Sequence, residues 1–143
     1  MKMNDDELRQ ALAVLDAYNV QLEALNRHVR LLQVSLEDTT RARETFKSLA
    51  DAKEGDDILI PVGASSFVSA KITGKKTAIV GIGNRISVEK DLDEAVTFME
   101  ASVSEITKAL RDTLGTLDEI EKMSTELTNA VENEYRYRQQ SAQ

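Results

Sequence analysis

Residues 58–88 read ILIPVGASSFVSAKITGKKTAIVGIGNRISV, and their pattern decides the architecture. Four short apolar runs, rich in β-branched residues, stand at Ile58–Val62, Phe67–Ile72, Thr77–Ile82 and Arg85–Val88. Turn residues separate them: Gly63 to Ser66, then Gly74-Lys75-Lys76, then Gly83-Asn84, a two-residue hairpin signal. Pro61 has no N–H to give a ladder, which puts its strand at an edge or leaves it partly paired. The reading is two β-hairpins within residues 57–88.

On both sides the period changes from two to three and a half. From 4 to 52, apolar residues recur at Leu8, Ala11, Leu15, Tyr18, Leu22, Leu25, Val29, Leu32 and Leu36, an unbroken heptad seam. Thr39 and Arg43 weaken it before Phe46 and Ala50 resume it. From 91 to 138 a second seam runs through Leu92, Val96, Met99, Val103, Ile106, Leu110, Thr113, Leu117, Ile120, Ser124, Leu127 and Val131. Leu114 and Met123 lie beside its two polar gaps and are expected to fill them. Gly115 costs roughly 1 kcal/mol against Ala inside a helix. It reads as a soft spot and not a break, because the heptad continues through it. Asn4 with Glu7 and Asp91 with Glu94 are the expected caps, and Gly55-Asp56-Asp57 closes the first helix.

Two helices of similar length joined by a compact insert can fold back and zip along their seams. The expected fold is mainly α with a small β-insert: a single domain, 1–143, built as an antiparallel two-helix coiled-coil hairpin with two β-hairpins at the bend. Composition agrees. Aromatic residues are 4 % of the 143 and charged residues 30 %, with one Pro and no Trp, which suits long helices better than a globular core.

The chemistry the chain lacks is as informative. It has no Cys, so disulfides and thiolate chemistry are excluded. Its one histidine, His28, flanks the seam and has no second His to work with. Carboxylate pairs such as Asp56-Asp57 and Asp118-Glu119 read as solvated faces or charge pairs, with too few converging oxygens for a metal. Gly81 and Gly83 precede a strand and not a helix, so a phosphate would lack its helix N-terminus. A net charge of −7 disfavours nucleic acid. The polar start, Met1 to Asp6, implies no signal peptide, and no apolar run is long enough to span a membrane. No enzyme, no cofactor and no metal is expected, and the expected location is cytoplasmic.

Two regions carry apolar surface without an evident use. The short strands hold apolar residues on both parities, while the helix seams are spent on each other. The β-insert is therefore expected to assemble with inserts of other chains through Ile58, Ile60, Val62, Phe67, Val68, Ile79, Val80, Ile82, Ile86 and Val88. At the other end, the seam turns polar at Glu134 and Arg138, so the helices are expected to stay unzipped there. Met1, Met3, Leu8, Leu12, Val131, Tyr135 and Tyr137 gather in that place. Ordinary end fraying and an adaptable surface for partners both fit this pattern.

The order helix, two β-hairpins, helix, with Ile58-Leu-Ile-Pro-Val-Gly63, Ala64-Ser-Ser-Phe67, Ala78-Ile-Val-Gly-Ile-Gly83 and Val88-Glu-Lys-Asp-Leu-Asp-Glu-Ala95, resembles the archaeal prefoldin alpha subunits along nearly the whole chain. Two hairpins in place of one point to the alpha class. Ser65 departs from a pattern that often has Gly there. The resemblance implies a hexamer of two alpha and four beta subunits joined by a β platform. It implies an ATP-independent chaperone, a holdase, whose coiled-coil tips capture unfolded clients and pass them to a group II chaperonin. A prefoldin-like filament-forming structural protein is the alternative.

Overall fold

The computed structural model describes residues 2–142. Two long helices flank four strands: α1 Asp5–Asp51, β1 Asp57–Gly63, β2 Ser66–Lys71, β3 Thr77–Gly83, β4 Ile86–Asp91 and α2 Leu92–Ser141. The chain divides into two compact units, one of residues 1–34 with 107–143 and one of residues 35–106.

The heptads locate the buried faces. Every assigned position from Leu8 to Leu36 is buried or half-buried, and so is every one from Leu92 to Val131. In the first unit Leu8 and Ala11 of α1 form a buried cluster with Val131 of α2, and Met3, Leu15 and Leu127 pack on it. Farther along α1, the Tyr18 hydroxyl lies 4.0 Å from the Met123 sulfur. Rising numbers on α1 meet falling numbers on α2, so the helices pack antiparallel here.

Local chemistry sets the ends of α1. Asn4 Oδ1 accepts the Glu7 N–H at 2.8 Å, satisfying an amide that has no partner within the helix. The last turn of α1 has no basic residue of its own. Lys76, from the link between the hairpins, supplies the missing charge. Its ammonium donates to the carbonyls of Leu49 (3.0 Å), Ala50 (3.5 Å) and Ala52. A cation there neutralises the negative end of the helix dipole and fills unpaired carbonyls. Gly55, at φ 90°, then turns the chain, and its N–H donates to Ile72 O at 2.8 Å. Asp56 O accepts the Ile72 N–H at 2.9 Å, which ties the end of the first hairpin to the helix exit. The start of α2 differs from expectation. Asp91 ends β4 opposite Thr77, and the Leu92 N–H goes to the Lys76 carbonyl at 3.0 Å.

The strands form two separate antiparallel hairpins, β1–β2 and β3–β4. Both have one design. The pairing skips Val62 in one and Ile82 in the other, with an irregularity before Gly63 and before Gly83. The turn residues proper are Ala64-Ser65 and Asn84-Arg85, all at positive φ between 48° and 61°. Two successive residues in that region fit the primed turn whose twist matches the strands. The second turn is thus one residue later than the Gly83-Asn84 signal suggests, because Gly83, at φ 112°, belongs to the bulge.

Two smaller expectations change. Leu114 and Met123 are both exposed, and of the two Met123 still reaches Tyr18 of the other helix through its sulfur. Thr113 satisfies its own hydroxyl by donating to Ala109 O at 2.8 Å. The helix does run unbroken through Gly115.

Candidate interaction surfaces

The hairpins of the second unit expose apolar side chains that nothing among the described residues covers. Alternation along β3 shows why. Val80 is 1 % exposed and its neighbour Ile79 is 77 % exposed, since successive side chains leave a strand on opposite faces. Ile60, Val62, Phe67, Val68, Ile82 and Ile86 are exposed as well, while Ile58 and Val88 are half-buried. Val80 therefore leaves the expected assembly set, because it is part of this unit's interior. Leu59, outside that set, is 65 % exposed; the unbroken run Ile58-Leu59-Ile60 was its signal. An apolar groove of about 580 Å³ runs between α1 and β1, with Thr45 and Leu49 on one side and Leu59 and Pro61 on the other.

Charged groups frame these strands. Lys71 meets Asp57 at 2.8 Å across the open end of the first hairpin, and Lys75 meets Glu89 at 2.9 Å beside the second. Hydrogen bonds from Lys75 and then Thr77 hold the Glu89 carboxyl below its usual range. All four charges are largely exposed, so the pairs add little stability in water.

In the first unit the termini end is closed, which corrects the expectation of an unzipped tip. Glu134 is 1 % exposed. Its Oε2 accepts the Met3 N–H at 2.9 Å, and its Oε1 accepts Arg138 Nε at 2.9 Å. Arg138 Nη2 donates to Met3 O at 3.2 Å, and Arg138 Nη1 lies 2.8 Å from Asp5 Oδ1. The two polar seam residues thus grip one backbone unit of the other arm at both its donor and its acceptor. Arg138, and then the Met3 amide, hold the Glu134 carboxyl below its usual range. Glu134 in turn, and then Asp5, raise the Arg138 guanidinium.

The expected client residues divide accordingly. Leu8 and Val131 are buried in the cluster and present no surface. Met3 is half-buried against it. Leu12, Tyr135 and Tyr137 are exposed, and the Lys2 ammonium sits 5.4 Å from the Tyr137 ring centre. Met1 lies outside the described residues. The clasp itself was missed. Its signal was an acid followed four residues later by an arginine, both at seam positions.

Among the described residues, no group of three or more His, Asp or Glu could hold a metal ion. No helix among them is long and apolar enough to cross a membrane. His28 is exposed. Carboxylates read as charge pairs or caps act as such: Asp118 pairs with Lys122 at 3.0 Å, and Asp56 accepts the Lys53 N–H at 2.8 Å.

The family model described as Prefoldin subunit matches residues 18–137. The chain is 32 % identical to prefoldin subunit alpha of Pyrococcus horikoshii over 92 % of this chain and 90 % of that one. It is 28 % identical to prefoldin subunit alpha 1 of Methanocaldococcus jannaschii over 95 % and 93 %. Among solved structures, its fold resembles a chain of filamentous PFD from M. jannaschii, with TM-score 0.65, 24 % identity and coverage of 85 % and 98 %. It also resembles the prefoldin beta subunit from Thermococcus strain KS-1, with TM-score 0.58, 15 % identity and coverage of 93 % and 96 %. With the family model spanning most of its length and an alpha-type relative matching nine-tenths of both chains, this chain belongs to the prefoldin family of chaperone subunits, among the alpha subunits.

Proposed function

We propose that this chain is the alpha subunit of an ATP-independent holdase, without enzymatic activity or cofactor, working in the cytoplasm. Its hairpins join prefoldin beta subunits, in a hexamer of two alpha and four beta chains. Its termini end captures unfolded proteins and passes them to a group II chaperonin. The observation that carries the reading is the uncovered apolar surface of the two hairpins in a member of this family. Ile79, Leu59 and Phe67 in water have a large incentive to find partners, and open strand edges beside them offer backbone pairing. Exposed Leu12, Tyr135 and Tyr137 support client contact at the termini end, because aromatic and aliphatic groups bind non-native segments without demanding a sequence.

The test is dilution of a chemically denatured protein into buffer without nucleotide, followed by light scattering. The chain assembled with a beta-type partner should suppress scattering near equimolar ratio, and addition of a group II chaperonin with ATP should recover activity. Scattering equal to that of the buffer control contradicts the reading. The filament alternative rests on the same open strand edges, since an interface that does not close makes fibres. Electron microscopy of the chain alone separates the two: long filaments favour the alternative, discrete particles the holdase.

A further inference from the structure

We infer that the outward face of α1 is a self-pairing surface, on which a second copy of this chain lays its own α1 antiparallel, with Glu23 at the two-fold axis. Neither the hairpin contacts nor the termini end uses this face.

α1 has a second heptad. Opposite its buried seam, Ala13, Ala17, Val20, Ala24, Leu31 and Val34 recur at spacings of three and four, with Arg27 completing the row. All are exposed, Val20, Leu31 and Val34 at 67 %, 69 % and 57 %. The seam that packs on α2 lies on the other side of the helix, so α2 leaves this row in water. Helix formation does not call for it, since valine is a poorer helix former than glutamate or lysine. The equivalent outward positions of α2 hold Glu105, Lys108, Asp112, Glu119, Lys122 and Glu126, an ordinary solvated face.

The row fits a copy of itself. In an antiparallel pair centred near Glu23, Leu31 faces Ala13, Val20 faces Ala24 and Arg27 faces Ala17. Every such layer sets a larger side chain against an alanine, which lets the two helices interdigitate closely. Beside the row, the same register brings Asp16 to Arg30 and Arg9 to Glu37, each twice by symmetry, and leaves only Glu23 facing its own copy. Sliding by one heptad in either direction sets Asp16 against Glu37 or against Glu23 instead. A parallel pair stacks Arg27 on Arg27 and alanine on alanine. Among the described residues, no ion pair within the chain engages Asp16, Glu23, Arg30 or Glu37, and Arg9 meets Asp6 only at 3.9 Å, so these charges are available to a second copy. The overlap from Ala13 to Val34 is about 30 Å long, a small contact of the reversible kind.

Because the chain has no cysteine, single cysteines report the pairing. Glu23→Cys puts a thiol at the axis and removes the Glu23–Glu23 repulsion, whereas Ala17→Cys faces Arg27 of the second copy. Each full-length variant is treated with a short bismaleimide, alone and after assembly with a beta-type partner, and linked dimer is measured on a denaturing gel. Glu23→Cys should link about fivefold more than Ala17→Cys. With Glu23→Cys in place, Leu31→Glu should lower linkage about tenfold at unchanged helix content. Asp16→Arg should lower it about threefold, and adding Arg30→Asp should restore it. Linkage at position 17 equal to or above that at 23, the mark of random collision or a parallel pair, overturns the inference. So does a charge swap that fails to restore linkage. So does a Leu31→Glu assembly that keeps its linkage but no longer suppresses scattering, which would put a client on this face. A chain that links at position 23 yet forms no hetero-oligomer overturns the hexamer reading and leaves the self-pairing standing.

Discussion

Ile79 and Val80 are neighbours on one strand with opposite surroundings. In the chain alone Ile79 is 77 % exposed and Val80 is 1 % exposed. Ile79→Thr keeps a β-branched residue on the strand and removes apolar surface already in water. It should change the stability of the isolated chain by no more than about 0.5 kcal/mol. If Ile79 is buried on assembly, three-quarters of a side chain worth about 1.5–3 kcal/mol is at stake, so association should weaken by roughly 1–2 kcal/mol per site. That is about a 5–30-fold loss in association constant. Val80→Ala removes two buried methyl groups and leaves a void. It should cost the isolated chain about 2 kcal/mol. Urea titration by circular dichroism measures the first quantity, and sedimentation velocity across a concentration series with a beta-type partner measures the second. If Ile79→Thr destabilises the isolated chain as much as Val80→Ala does, or leaves association unchanged, the reasoning from exposure to assembly is wrong.

Three more outcomes follow from the same geometry. Ser65 sits at φ 58°, where an L side chain is strained, so Ser65→Gly should stabilise the first hairpin by about 1 kcal/mol, read as a higher urea midpoint. Lys76→Met removes the cation from the end of α1 and should cost about 1 kcal/mol, with faster amide exchange confined to the hairpin unit and the helix exit. The Glu134 carboxyl is held below its ordinary value in the folded chain, so the clasp contributes fully above the unfolded carboxyl range. That contribution is lost as pH falls through the lowered value, and exchange at residues 8–15 should speed up there in wild type but not in Glu134→Leu.

The helices were legible because a heptad states both the period and the buried face. Each seam residue from Leu8 to Leu36 lies on the less exposed side of α1. The hairpins were legible from β-branched runs and glycines. The first turn falls where Gly63 to Ser66 put it; the register of the second was not legible, because the bulge at Ile82 leaves no mark in composition. Which of Ile79 and Val80 faces inward also depends on what the strand lies against, and parity alone does not tell it. The tip was misread for a related reason. Glu134 and Arg138 break an apolar pattern, and a break predicts loosening only when the other arm offers them nothing. Here it offers the Met3 backbone, a long-range partner 131 residues away in the chain. Lys76 belongs to the same class: its role at the end of α1 is set by the fold of the link, not by neighbouring residues.

The central question is whether the exposed hairpins seek other prefoldin chains. Native mass spectrometry of the chain, alone and mixed with a beta-type prefoldin subunit, measures this. The expected result is one discrete hetero-oligomer that contains both chains and matches two alpha with four beta subunits. A chain that keeps the same mass whether or not the beta-type subunit is present would contradict it.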